Sequence, residues 1–259
     1  MAAAEGGALM LVVEIAVAKV AKYAVAESGD SVEIVERPNG GFSVVIVDGQ
    51  RSGKSAKAIS NIAVRKAISL LAEGVRDGAV ARATHDYLRT QRSGQVSAEL
   101  TIVSVDLETR TIVISRNSQC PVLIRHPSEA GPPDLVWTVL DSPVDAVGVH
   151  SRVRPVIDEW PLAAGLVLVA FTDGLLHSGS RRGSLLDIQA ALASVHVDAS
   201  TAAQDMADGL LDAAVSADEH RPGDDVSVVV MRVFDCQPND SLEIRRMRVS
   251  FPLPSIVSR

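Results

Sequence analysis

Apolar residues recur with two different periods along the chain, and each change of period marks a change of element. From Leu11 to about Lys19 the run is β-branched and roughly alternating, which predicts a strand. A second strand is predicted over Val32–Glu36. The turn Arg37-Pro38-Asn39-Gly40-Gly41 carries the Asn-Gly signal of a hairpin and leads into the apolar run Phe42–Val47, which stops at Asp48. An at least partly antiparallel sheet follows from that hairpin. Past the polar loop Gly49–Gly53, Ala56, Ile59, Ala63, Ala67 and Leu71 recur at helical spacing, which predicts a long amphipathic helix ending near Gly74.

A second helix is predicted from Asp77 to about Thr90. Glu99–Asp106, Thr111–Arg116 and Pro121–Arg125 then read as three short strands of one antiparallel meander. Residues 127–150 carry no regular pattern, and Pro127–Pro133 has the composition of a surface loop. Val153–Glu159 returns as a strand, with Pro155 favouring an edge position. Leu166–Phe171 is the most hydrophobic strand, and it too halts near an acid, Asp173. Helical spacing resumes over Leu185–Val195 and Thr201–Val215, and Val226–Val233 closes as a strand directly after Asp224-Asp225. One domain over residues 8–233 is expected. Residues 234–259 are read as an appendage, in which Leu242–Phe251 is a candidate strand that would extend the sheet or pair between subunits.

Composition narrows the class. The 259 residues are 47% apolar and 22% charged, the balance of a globular chain with a sizeable core, and with only 3% aromatic residues that core must be filled by Val, Ala, Leu and Ile. A net charge of −7 provides no positive field, which argues against nucleic acid and an anionic membrane as partners. Two distant cysteines, Cys120 and Cys236, exclude a Cys-based zinc site and fit a reducing compartment. The apolar stretch Ala8–Val20 is too short to span a bilayer, is interrupted by Glu14 and Lys19, and lacks a basic start or cleavage site. A cytoplasmic protein is expected.

The candidate chemistry lies in carboxylates at strand ends. Asp30 stands in Ser28-Gly29-Asp30-Ser31, Asp48 in Val47-Asp48-Gly49, Asp173 in Phe171-Thr172-Asp173-Gly174, and Asp224 with Asp225 in Gly223-Asp224-Asp225-Val226-Ser227. Taken singly, an Asp before Gly at a strand end is a turn residue. Together, rigidly held carboxylates would repel one another unless a hard cation sat between them, and oxygen-only ligation favours Mg²⁺ or Mn²⁺ over zinc. The six histidines show no metal-ligand spacing, and His177 and His220 lie nearest these acids in sequence.

The series Ser-Gly-Asp, hairpin, Asp-Gly-x-x-Ser-Gly into an Ala-rich helix, Ser-Ala-x-Leu-Thr opening a strand, Thr-Asp-Gly and Gly-Asp-Asp-x-Ser resembles the metal-dependent protein serine/threonine phosphatases (the PPM superfamily). Within them it is most similar to the bacterial branch of sporulation stage II protein E and the RsbX-type stressosome phosphatase. The resemblance covers nearly all of residues 10–233. It implies an α+β fold, a four-layer α-β-β-α sandwich of two mostly antiparallel sheets, with two divalent ions, Mn²⁺ or Mg²⁺, at one end. By the same resemblance Asp48 would bridge the metals, Asp30 and the Gly49 carbonyl would serve one, and Asp173 with Asp224 the other. Asp225, counted with the metal-site acids, would orient the site more than bind directly. The implied reaction is in-line attack on a phosphoserine or phosphothreonine phosphorus by a metal-bridging water. The implied partner is a phosphorylated regulatory protein, such as a sigma-factor antagonist or stressosome component.

One position departs from the family pattern. Where these phosphatases commonly have Asp-Gly-x-Gly-x-Gly, this chain has Arg51, which would either clamp the substrate phosphate by its bidentate guanidinium or distort the loop. Two other readings remain open on sequence. Gly49–Ser55 between a strand and a helix resembles a P-loop of a nucleotide hydrolase, though its spacing is one residue short and Asp48 stands where the first Gly belongs. A non-catalytic regulator of the same fold, binding a phosphoprotein, is the other.

Overall fold

The structure is a computed structural model that describes residues 10–127, 137–194, 201–236 and 245–250, with Asn39 by its backbone alone. The chain runs β1 (Met10–Val20), β2 (Ser31–Glu36), β3 (Phe42–Gly49), α1 (Gly53–Ala72), α2 (Asp77–Gln91), β4 (Ala98–Asp106), β5 (Thr111–Asn117), β6 (Val122–Arg125), β7 (Thr138–Leu140), β8 (Val156–Pro161), β9 (Val167–Phe171), α3 (Asp173–Leu176), α4 (Ile188–Ser194), α5 (Ala203–Ala217) and β10 (Val226–Cys236). Among the described residues two five-stranded sheets form, in the orders β1-β10-β9-β6-β7 and β2-β3-β4-β5-β8. Every strand pairing is antiparallel.

The period-2 alternation of the strands sorts side chains into separate cores. Val44 and Ile46 enter the space between the sheets with Val103, Ile112 and Ile114, meeting Leu168, Val229 and Met231 from the other sheet. Their neighbours Val45 and Val47 point the opposite way, onto Ile59, Ala63, Ala67 and Leu71 of α1 and Val80 and Leu88 of α2. On the far face, Val169, Phe171, Val228 and Val230 pack with Met206, Ala207, Leu210 and Ala214 of α5. Three apolar layers therefore hold four layers of secondary structure, the α-β-β-α sandwich expected. Alanines on the inner faces of α1 and α5 let each helix lie close to its sheet, which is how so few aromatic residues fill these cores.

Several boundaries differ from the sequence reading. The expected three-strand meander is broken: β4 and β5 pair, but β6 crosses to the other sheet beside β9, and β8 takes the place next to β5. The crossing is fixed by buried polar groups at the end of β5. Arg116 donates to the carbonyls of Ser118 and Ser142 (both 2.8 Å), and Asn117 Nδ2 to that of Asp145 (2.8 Å). Pro121, with no N–H to give a ladder, follows before β6 begins. Pro155 likewise precedes the edge strand β8 instead of lying within it, and β7 forms where no pattern was read. Strand β10 continues past Val233 to Cys236, because β1 offers partners as far as Met10.

The helix read over Leu185–Val195 is shorter, Ile188–Ser194, with Val195 outside the described residues. In the candidate tail strand Leu242–Phe251, residues 245–250 take no regular structure, and the rest lies outside the described residues. Met247 and Val249 are exposed there and alternate with Arg246 and Arg248. Within the surface loop read at Pro127–Pro133, residues 128–133 lie outside the described residues.

Candidate active site

The hydrogen-bond ladders bring the acids together at one end of the sandwich. Strand β3 ends at Asp48 and Gly49, paired with Glu99 and Ala98 at the start of β4. From the other sheet, Thr172 at the end of β9 donates its backbone N–H to Ser227 O (3.0 Å) of β10, so Asp173 and the Asp224-Asp225 pair lie side by side. The loop after β1 supplies Lys22 and Asp30. These groups line one open cleft of about 350 Å³, with Arg51 on its rim.

Asp30 is only 1% exposed. Its Oδ2 accepts hydrogen bonds from Thr172 Oγ1 (2.8 Å) and Ser227 Oγ (2.7 Å), which explains the polar residues of the Thr-Asp-Gly and Gly-Asp-Asp-x-Ser motifs. Its Oδ1, also buried, has no hydrogen-bond partner. Burial raises the carboxyl to about 6, against the opposing pull of the Ser227 and Thr172 hydroxyls. The backbone carbonyl of Asp30 accepts from two ammonium groups, Lys57 Nζ (2.7 Å) and Lys19 Nζ (3.1 Å). Burial lowers the Lys19 ammonium, and Lys57 lowers it further.

Asp48 is under greater electrostatic stress. Burial, followed by the negative fields of Asp30, Asp173, Glu99 and Asp224, pushes it up to about 9. Asp173 is raised as well, by burial and then by Asp224 and Glu99. Among the described residues no three His, Cys, Asp or Glu side chains close around one point as a finished ligand set. Held on rigid strand ends, these like-charged groups repel one another, and a divalent cation would offset that repulsion. The orphaned Asp30 Oδ1 and the all-oxygen donor set fit Mg²⁺ or Mn²⁺.

The two acids of the Asp-Asp pair are built differently. Asp225 is buried and both its oxygens accept backbone N–H groups, from Lys22 (2.9 Å) and Gly29 (2.9 Å), so it fastens the Asp30 loop to β10. Asp224 is more exposed and faces Lys22 Nζ at 3.6 Å. The glycines beside the acids are set by close approach. A Cβ on Gly49 would overlap the carbonyl of Ala56 in α1, and one on Gly174 the carbonyl of Asp225. Arg51 keeps the loop in a left-handed conformation, φ 81°, so the position where the resembling phosphatases have Gly is still one that favours Gly.

All seven residues singled out from sequence, Asp30, Asp48, Gly49, Arg51, Asp173, Asp224 and Asp225, meet at this cleft. Sequence reasoning missed Glu99, whose carboxylate accepts from Ser118 Oγ (2.6 Å) and faces the same cleft. Its signal was its place inside the Ser-Ala-x-Leu-Thr motif, directly across the ladder from Asp48. Lys19, Lys22 and Lys57 were also missed, since single lysines carry no pattern. His177 is exposed, 4.0 Å from Asp173, and His220 is exposed outside the cleft. The P-loop reading fails on topology, because β3 lies between two antiparallel partners and Asp48, not an amide cradle, faces the cleft.

Comparison with known proteins gives the family. A sequence model of the family "Stage II sporulation protein E (SpoIIE)" matches residues 38–234. The chain belongs to the SpoIIE family. A search of curated protein sequences returned no match. Among solved structures, this SpoIIE-family chain is similar to the PP2C phosphatase domain of SpoIIE from Bacillus subtilis solved with a fragment of its regulatory domain. They share 19% identity and a TM-score of 0.73 over 85% of this chain, which spans 63% of the length of that one. It is also similar to the RsbU and RsbW domains of Rv1364c from Mycobacterium tuberculosis (17% identity, TM-score 0.67, 86% of this chain and 61% of that). A third is the catalytic domain of the serine/threonine phosphatase PstP in complex with two manganese ions (15% identity, TM-score 0.63, 87% of this chain and all of that one). The SpoIIE-family sandwich described above is thus the PP2C fold.

Proposed function

We propose that this chain is a metal-dependent protein phosphatase that hydrolyses phosphoserine or phosphothreonine on a regulatory partner protein. The observation that carries the reading is the buried, unpartnered Asp30 Oδ1 in the wall of a cleft where Asp48, Asp173 and Asp224 converge. A carboxylate oxygen buried without a partner costs stability, and a hard cation is the ligand that satisfies it. Asp30, Asp48, the Gly49 carbonyl, Asp173 and Asp224 would hold two divalent ions, with Glu99 beside them. When bound, such ions supply an acidified water and neutralise charge on phosphoryl oxygens.

The chain's own residues supply the positioning. Thr172 and Ser227 fix one Asp30 oxygen, so that the other is presented in a single orientation. Asp225 locks the loop that carries it, and Lys57 and Lys19 clamp its backbone carbonyl. Arg51 on the rim offers a planar guanidinium to the phosphate of an entering side chain. The open cleft suits a phosphorylated side chain on a protein surface better than an enclosed small molecule.

A partner-switching role, with a sigma-factor antagonist or stressosome component as substrate, draws support from family membership and from the similar Rv1364c structure, in which RsbU and RsbW domains occur together. No helix among the described residues is long and apolar enough to cross a membrane. We place the protein in the cytoplasm on its two cysteines, which stand far apart in sequence and fit a reducing compartment. The test is phosphate release from a phosphoserine peptide with Mn²⁺, with Mg²⁺ and with EDTA. Release that depends on added metal is expected, and EDTA-insensitive release or none at all would contradict the reading.

A further inference from the structure

Beside the acidic cleft lies a surface of opposite character. Tyr23, next in sequence to the cleft residue Lys22, is 56% exposed, and the Arg221 guanidinium stacks on its ring at 5.5 Å. The two loops are tied together by the Tyr23 N–H donating to Pro222 O (2.9 Å). Arg181, on the turn after α3, reaches the same loop and donates to Gly223 O (2.8 Å). Gly223 precedes the cleft residue Asp224, so the arginines and the tyrosine form a shelf on the loops that carry Lys22 and Asp224 into the cleft. Arg182 nearby is neutralised by Glu219 at 2.8 Å. Among the described residues, no carboxylate lies within 4.0 Å of the Arg181 or Arg221 guanidinium.

We propose that the shelf of Tyr23, Arg181 and Arg221 docks the polypeptide of the phosphorylated partner and selects segments with acidic side chains next to the phosphorylated residue. The inference rests on the phosphatase reading of the neighbouring cleft and adds a substrate preference to it. Its warrant is charge complementarity on a chain of net charge −7, where two exposed guanidiniums with no carboxylate within 4.0 Å among the described residues are held against the loops that carry the cleft residues Lys22 and Asp224. An acidic segment would otherwise be repelled by that cleft. A rigid tyrosine held by a stacked arginine also has the chemistry of an interface anchor, large in area and low in side-chain entropy.

The test compares two phosphoserine peptides, one flanked by Glu and one by Lys, with p-nitrophenyl phosphate as a substrate too small to reach the shelf. The wild type is expected to favour the Glu-flanked peptide in kcat/KM by about three- to tenfold, a margin that shrinks as salt is added. Arg221→Glu should abolish or invert that preference, and Tyr23→Ala should reduce it, both leaving p-nitrophenyl phosphate turnover unchanged. Equal kcat/KM for the two peptides, or a preference that survives Arg221→Glu, overturns the proposal. If neither peptide is hydrolysed, fluorescence anisotropy of the labelled peptides on the wild-type chain decides. Tighter binding of the Glu-flanked peptide would keep the shelf and end the phosphatase reading, whereas equal binding would end the shelf.

Discussion

Arg51 holds a left-handed backbone angle that costs a residue with a Cβ about 1 kcal/mol more than glycine. Two substitutions separate its backbone from its side chain. Arg51→Gly and Arg51→Ala both delete the guanidinium, yet the Gly variant should be the more stable by roughly 1 kcal/mol in urea unfolding. If Arg51 clamps substrate phosphate, both variants lose kcat/KM on a phosphopeptide to a similar extent. Unchanged activity in Arg51→Ala would remove the clamp. At this scale the sequence was most informative about acids beside glycines, because close backbone approach at Gly49 and Gly174 leaves a mark in residue identity. It was least informative about Glu99, Lys19, Lys22 and Lys57, which reach the site by strand register and loop closure.

At the scale of elements, a largely buried polar link joins the residue after β2 to β4 and the start of α2. Arg37 Nη1 donates to Asp77 Oδ2 (2.9 Å) and to Ser104 Oγ (3.0 Å), its Nη2 reaches Val75 O (3.1 Å), and Ser104 Oγ also bonds Asp77 Oδ1. Asp77 is 6% exposed, so removing it leaves Arg37 largely desolvated without a counter-charge. Asp77→Ala is expected to cost about 3 kcal/mol in urea unfolding, and Asp77→Asn less, because it retains a hydrogen-bond acceptor. A loss under about 0.5 kcal/mol for Asp77→Ala would mean that solvent satisfies the arginine.

The elements themselves were mostly legible, because β3 and β9 are short apolar runs buried on both faces and α1, α2 and α5 each bury one face at helical spacing. The topology was not. Alternation in β6 is the same whether it pairs with β5 or with β9, and only the buried bonds of Arg116 and Asn117 turn the chain into the other sheet.

For the whole molecule, the cleft carboxylates couple stability to pH in a definite direction. Asp30 and Asp48 hold their protons up to about 6 and about 9 in the folded chain, against 3.8 as the ordinary value. The folded state therefore binds more protons than the unfolded state between those limits. The stability these protons contribute is full below about pH 4 and is lost as pH rises through the folded values. In EDTA the urea midpoint should fall from pH 5 to pH 9. Asp48→Asn should flatten the upper part of that fall and exceed the wild type at pH 8. Mn²⁺ should raise the wild-type midpoint at pH 8, since a cation stabilises the deprotonated acids. A wild-type midpoint that rises with pH in EDTA would contradict this electrostatic account.

The most direct test of the central claim is the rate of phosphate release from a phosphoserine protein in Mn²⁺, wild type against Asp48→Asn, with folding of both verified by circular dichroism. The account predicts Mn²⁺-dependent turnover in the wild type and its loss by at least about a hundredfold in the variant, as expected when a group central to the reacting site is removed. Equal rates in the two proteins, or wild-type turnover indifferent to Mn²⁺, would contradict it.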